Sequence, residues 1–125
     1  MNVPDDRKYT KDHEWALLVG DTVTVGITDF AQGELGDIIF IEFPNTGDTF
    51  AQGDAFGTVE AVKTVADLFM PLAGVIVAVN TDLEDAPEKV NGDPYGEGWM
   101  VKIKLSNPSE WNKLLDANGY KELIS

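Results

Sequence analysis

The sequence has no cysteine in its 125 residues, which excludes a thiol nucleophile, a disulfide framework and any zinc site built on thiolate. Its one histidine, His13, is too few for a histidine-rich metal site. Serine occurs only at Ser106, Ser109 and Ser125, outside any GxSxG context, so a nucleophile elbow is not on offer. Carboxylates are plentiful, but no spacing singles out a pair for acid and base work.

Positive charge is also scarce. Nine Lys and Arg stand against 22 Asp and Glu, for a net charge of −13 and a pI near 4.1. A phosphate backbone is recognised chiefly by basic side chains, so DNA and RNA are excluded as partners. The same charge favours fast, transient encounters with basic docking surfaces. Long hydrophobic runs are missing: GVIVAVN and DIIFIEF are strand-length, far short of the roughly 20 residues of a membrane span. The N-terminal MNVPDDRKYTKDHEW has neither the apolar stretch of a secretory signal nor the Arg-rich, acid-poor character of a transit peptide. These features predict a soluble protein of the bacterial cytoplasm, or of the mitochondrial matrix if a transit peptide was removed. The length suits one domain spanning residues 1–125.

What is present is a succession of short β-rich segments. EWALLV and TVTVGI flank Gly20-Asp21 as a hairpin. TDFAQGELGD then changes period, and Asp29 and Gln32 at capping-box spacing, with Gly36 as the stop, predict a short helix. Strands follow in DIIFIEF, TFAQGDAFGTVEAV, ADLFMP, GVIVAVN and GWMVKIKL, with a turn at Pro44–Asp48. This is the pattern of an all-β sandwich or barrel. The acidic TDLEDAPEKVNGDP predicts a solvated loop rather than a calcium site. NPSEWNKLLDANGY predicts a closing helix capped by Asn107, with Pro108 at its first position and Glu110 completing a capping box. Trp111, Leu114 and Leu115 would pack on the sheet.

The residue that calls for an explanation is Lys63, alone in GTVEAVKTVADLFMPLAG among small, apolar and β-branched residues. A lysine between two strands is usually a solvated turn residue. A phosphate loop does not fit, because Val62 stands where GxxxxGK[ST] needs glycine. A third reading is an attachment point: an exposed amine on a tight turn, which amide formation would discharge and turn into the root of a flexible arm. Lysine plus an eight-carbon acyl group reaches on the order of 10 to 15 Å from the backbone.

VEAVKTVADLFMPLAG, with Gly53 and Gly74 on either side, resembles the lysine hairpin of the biotinyl/lipoyl carrier family. YTKDHEW, VGITDFAQGELGDIIFIEFP and VNGDPYGEGWMVKIK narrow the resemblance to the H protein of the glycine cleavage system, over about Val3 to Leu123. Biotin hairpins usually flank the lysine with methionine, and lipoyl domains of 2-oxoacid dehydrogenases usually read Asp-Lys-Ala; neither matches Val62-Lys63-Thr64.

The resemblance implies a mainly β, hybrid barrel-sandwich fold with lipoate amide-linked to Lys63, and a cofactor-bearing substrate rather than an enzyme. The implied partners are a pyridoxal-phosphate glycine decarboxylase (P protein), a tetrahydrofolate-dependent aminomethyltransferase (T protein), a dihydrolipoamide dehydrogenase (L protein) and lipoate-attaching enzymes. It carries an aminomethyl group from the first to the second and is reoxidised by the third. Glu14 and Asp67 match positions near which the family holds the loaded arm. Glu34 stands where some members have histidine, and Thr64, Val65 and Ala66 depart from the smaller or hydroxylated residues common there. The alternatives are an H-like protein that relays lipoate to other lipoyl domains, or an unmodified acidic interaction module.

Overall fold

The computed structural model describes residues 2–125. Nine strands are found among them: β1 (Lys8–Tyr9), β2 (Glu14–Val19), β3 (Thr22–Ile27), β4 (Ile38–Glu42), β5 (Thr49–Phe50), β6 (Ala55–Ala61), β7 (Val65–Phe69), β8 (Gly74–Val79) and β9 (Val101–Leu105). All pairings are antiparallel. They form a six-stranded sheet, β1-β2-β3-β9-β8-β5, and a three-stranded sheet, β4-β6-β7. The mainly β class read from the strand pattern is the class observed.

Alternation along the strands explains how the sheets close on one another. Ile41, Val59 and Ala66 lie side by side across β4, β6 and β7 and face the core, while the next row, Phe40, Glu60 and Val65, faces outward. Val23, Val25, Ile76, Val101 and Ile103 supply the opposite wall. A second cluster lies at one end, where Tyr9 stacks on Tyr120 with ring centres 4.7 Å apart, beside Trp15 and Ala117. Trp15 needs Gly26 across the hairpin: a β-carbon there would come within 2.8 Å of the indole. The indole N–H donates to the Pro94 carbonyl at 3.0 Å.

Three expectations are corrected. Helix α1 (Asp29–Leu35) forms where predicted, but its cap is Thr28, whose hydroxyl accepts from the Ala31 N–H. Asp29, one position inside, accepts from the Gln32 side chain instead. The acidic segment is not a loop but two short helices, α2 (Asp82–Asp85) and α3 (Lys89–Gly92). Four residues cannot hold a helix by propensity. These turns are held by burying Leu83 and Val90 in the main core, each contributing roughly 1.5–3 kcal/mol.

The closing helix is likewise divided. Asn107 caps and Pro108 begins a 3-10 helix that stops at Lys113, Leu115 pairs with Tyr9 as an isolated bridge, and α4 (Ala117–Ile124) starts afresh under an Asp116 cap. Glu110 closes no capping box; its carboxylate accepts from the Ala73 N–H at 2.8 Å. A continuous helix would forfeit both the Leu115 bridge and the docking of Tyr120, which is fully buried.

Candidate functional site

The hairpin joining β6 to β7 positions Lys63. The Ala61 N–H donates to the Thr64 carbonyl at 2.8 Å, leaving Val62 and Lys63 at the apex. No apex residue takes a positive φ, so the turn tolerates a β-branched valine. The Val62 N–H donates to the Asp37 carbonyl at 3.1 Å, tying the apex to the segment that follows α1. Gly36, with φ of 81°, ends α1 directly beneath: a β-carbon there would lie 3.5 Å from Lys63 Cε. Asn91 of α3 fixes this platform by donating to the Gln32 side chain and the Gly36 carbonyl and accepting from the Ile38 N–H. The acidic segment thereby supports the lysine turn from below.

Lys63 is exposed, as is Val62 at 73%. Among the described residues it makes no ion pair, with Glu60 and Asp67 or any other acid. The turn therefore presents an unencumbered primary amine on a braced apex. That geometry fits acylation at Nζ, and a long apolar acyl chain would start from a surface lined by Val62 and Val65.

The Glu14 carboxylate reaches the far end of β7, at Phe69. The residue opens β2 opposite Ile27 and is only 2% exposed. Oε1 accepts from the Thr10 hydroxyl at 2.6 Å and Oε2 from the Phe69 N–H at 3.4 Å. Burial pushes its carboxyl up to about 8, against the opposing pull of those two donors. Beside it lies a cavity of about 340 Å³ lined by Tyr9, Met70, Leu114 and Leu115, with Lys11, Asp12 and Lys113 as its other charged groups.

Asp67 is exposed on the outer face of β7, across from Thr58. Glu14 and Asp67 are thus not in contact: they meet β7 two residues apart, one buried and one in solvent. Glu34 is exposed on the last turn of α1.

His13 is structural in its bonding. It has φ of 70°, its ring lies 4.8 Å from that of Phe30, and Nδ1 is 2.9 Å from the Tyr120 hydroxyl. That hydroxyl continues at 2.7 Å to Thr28, the cap of α1. Burial lowers the pKa of His13, with Asp12 and Glu34 opposing, which favours the neutral ring. Sequence reasoning missed Thr10, Tyr120 and the Phe69 N–H, because no local motif announces a bond between residues 55 or more positions apart, and a Thr four residues before a Glu is not distinctive.

Comparison with known proteins was made with this geometry in hand. The family model described as Glycine cleavage H-protein matches residues 7–125. The chain is 60% identical over 126 residues to a Glycine cleavage system H protein of Chlorobium phaeovibrioides, covering 99% of this chain and 98% of the relative. It is 56% identical over 123 residues to that of Salinibacter ruber, covering 98% and 99%. The crystal structure of a glycine cleavage system H protein from Mycobacterium marinum superposes with a TM-score of 0.90 at 41% identity, covering 98% of each chain. On these likenesses, spanning nearly every residue described, the chain belongs to the glycine cleavage H-protein family.

Proposed function

We propose that Lys63 carries lipoate in amide linkage and that the chain serves the glycine cleavage system as its lipoyl carrier, a cofactor-bearing substrate and not a catalyst. The observation that carries this reading is the exposed, unpaired Lys63 on a braced two-residue apex, in a chain of this family. Its partners are the glycine decarboxylase, the aminomethyltransferase, the dihydrolipoamide dehydrogenase and the lipoate-attaching enzymes, and its place is the bacterial cytoplasm. Among the described residues no helix is long and apolar enough to cross a membrane.

When bound, lipoate supplies a dithiolane that takes up an aminomethyl group on one sulfur and is later reoxidised. The chain's own residues must shelter that labile group from water and hold its ammonium end. At roughly 3.3 Å per residue, Asp67 stands about 13 Å along β7 from Lys63 and Phe69 about 20 Å. An arm of about 15 Å, a further ~3 Å of sulfur, methylene and nitrogen, and a hydrogen bond of ~3 Å just span the longer distance. On that reach Asp67, in solvent, would be the nearer carboxylate for the arm's ammonium end, and Glu14 would be the one available at full extension.

Burial pushes the Glu14 carboxyl up to about 8, so in the unloaded chain it holds a proton at neutral pH. A cation arriving within about 4–6 Å favours the charged carboxylate, so holding the amine releases that proton. The lost charge of Lys63 on acylation also makes an already acidic face more so, which favours basic docking surfaces.

The test is the intact mass of the protein from its own cells, followed by peptide mapping across Gly57 to Gly74. An increment of one lipoyl group on Lys63 is expected. An unmodified Lys63 in cells that lipoylate other proteins would remove the carrier reading and leave an acidic interaction module.

A further inference from the structure

Residues 10–14 form a closed loop whose purpose is not explained by packing alone. The Thr10 N–H donates to the Glu14 carbonyl at 2.9 Å, and the His13 N–H donates to the Thr10 carbonyl at 3.2 Å. His13 takes the left-handed φ of 70°, a conformation few non-glycine residues adopt, and so turns the chain back on itself. At the centre sits one atom. Thr10 Oγ1 accepts from the N–H groups of Asp12 and Glu14, each at 3.2 Å, and donates its own proton to Glu14 Oε1 at 2.6 Å.

We infer that Thr10 is the positioning residue for Glu14: its hydroxyl, fixed by two main-chain donors, has one direction left for its proton and uses it to hold the Glu14 carboxyl at the end of β7. A threonine hydroxyl has two acceptor lone pairs and one proton, and here the two N–H donors occupy the lone pairs. The proton is left for the carboxylate, and a bond to an ionised acceptor is about twice as strong as one between neutral groups. The hydroxyl therefore favours the ionised form that can grip an ammonium, against burial that favours the neutral acid. The inference rests on the reading of Glu14 as the arm's terminal contact.

The other charged or titratable groups around Glu14 are few. Lys11 and Asp12 lie on the same loop, Tyr9 is on β1, Lys113 ends the 3-10 helix, Tyr120 comes from α4, and Asp67 stands two residues along β7. Among the described residues none of these lies within hydrogen-bond distance of the Glu14 carboxylate, so Thr10 is its only side-chain donor.

The experiment titrates the Glu14 carboxyl by carbon-13 NMR in the unacylated native protein, Thr10→Val and Thr10→Ser, and then measures, in the lipoylated form of each, how long the aminomethyl-loaded arm survives at several pH values. In Thr10→Val the Glu14 midpoint rises by about one pH unit, and the pH profile of arm survival moves with it. Thr10→Ser, which keeps the hydroxyl, restores both to native. Thr10→Ala repeats the comparison without added bulk if the valine variant does not fold. A Glu14 midpoint unchanged in the hydroxyl-free variants, or serine failing to restore it, overturns the inference. Glu14→Gln separates the two readings: native arm survival in that variant removes Glu14 as the terminal contact, while the titration still decides the part played by Thr10.

Discussion

Replacing Glu14 by glutamine should abolish a large part of this protein's pH-dependent stability. The carboxyl titrates near 8 in the folded chain, against an ordinary value of 4.5. Between those values the unfolded chain has released a proton that the folded chain retains, so stability is full below pH 4.5 and falls as pH rises towards 8. At about 1.4 kcal/mol per pH unit the gap amounts to roughly 5 kcal/mol, a large share of the 5–15 kcal/mol typical of a domain. Glutamine keeps the Thr10 bond through its carbonyl but sets an amide nitrogen against the Phe69 N–H. Losing that long bond costs about 1 kcal/mol, the same at every pH. Urea unfolding of both proteins from pH 4.5 to 8.5 checks this, because every other titrating group is common to the two. The native midpoint should fall relative to Glu14→Gln as pH rises, by about 2 to 3 M urea over the range for an m value near 1.5–2 kcal/mol/M. Parallel midpoints across the range would refute the reasoning, since they would mean that Glu14 is ionised and adequately solvated in the folded chain.

Lys63→Arg keeps the charge but not a primary amine that can be acylated; it should lose all lipoylation by intact mass while changing unfolding free energy by less than about 0.5 kcal/mol, as for an exposed residue. Asp67→Asn should leave lipoylation and thermal stability unchanged and shorten the survival of the loaded arm less than Glu14→Gln does, because its carboxylate is exposed and screened. Leu83→Ala should cost about 2–5 kcal/mol by urea titration, although it lies in a segment that reads as a polar loop.

The lysine turn was legible because its signal is local: one cation between two strand-like runs, at an apex that needs no special backbone angle. Strand positions were legible for a related reason, since alternation with period two reports directly which side chains face the core. The misreadings share a physical cause. Thr28 rather than Asp29 caps α1 because the Thr28 hydroxyl is sealed beneath Tyr120, 92 residues away. The closing helix divides because Leu115 finds a partner in Tyr9, and Glu110 leaves its expected cap for the Ala73 N–H.

The sequence by itself determined the class of fold, the exclusion of thiol and elbow-serine chemistry, and the place of Lys63 on a turn between two strands, since each depends on residue types and short-range spacing. Only the tertiary structure decided the character of Glu14. As a strand-end residue in the text it is as readily solvated as buried. The folded chain closes Thr10, Phe69 and the wall of Tyr9, Met70 and the paired leucines around it, and that enclosure sets when it carries charge. Burial and long-range hydrogen bonds are properties of the packed chain, and no local pattern of residues encodes them.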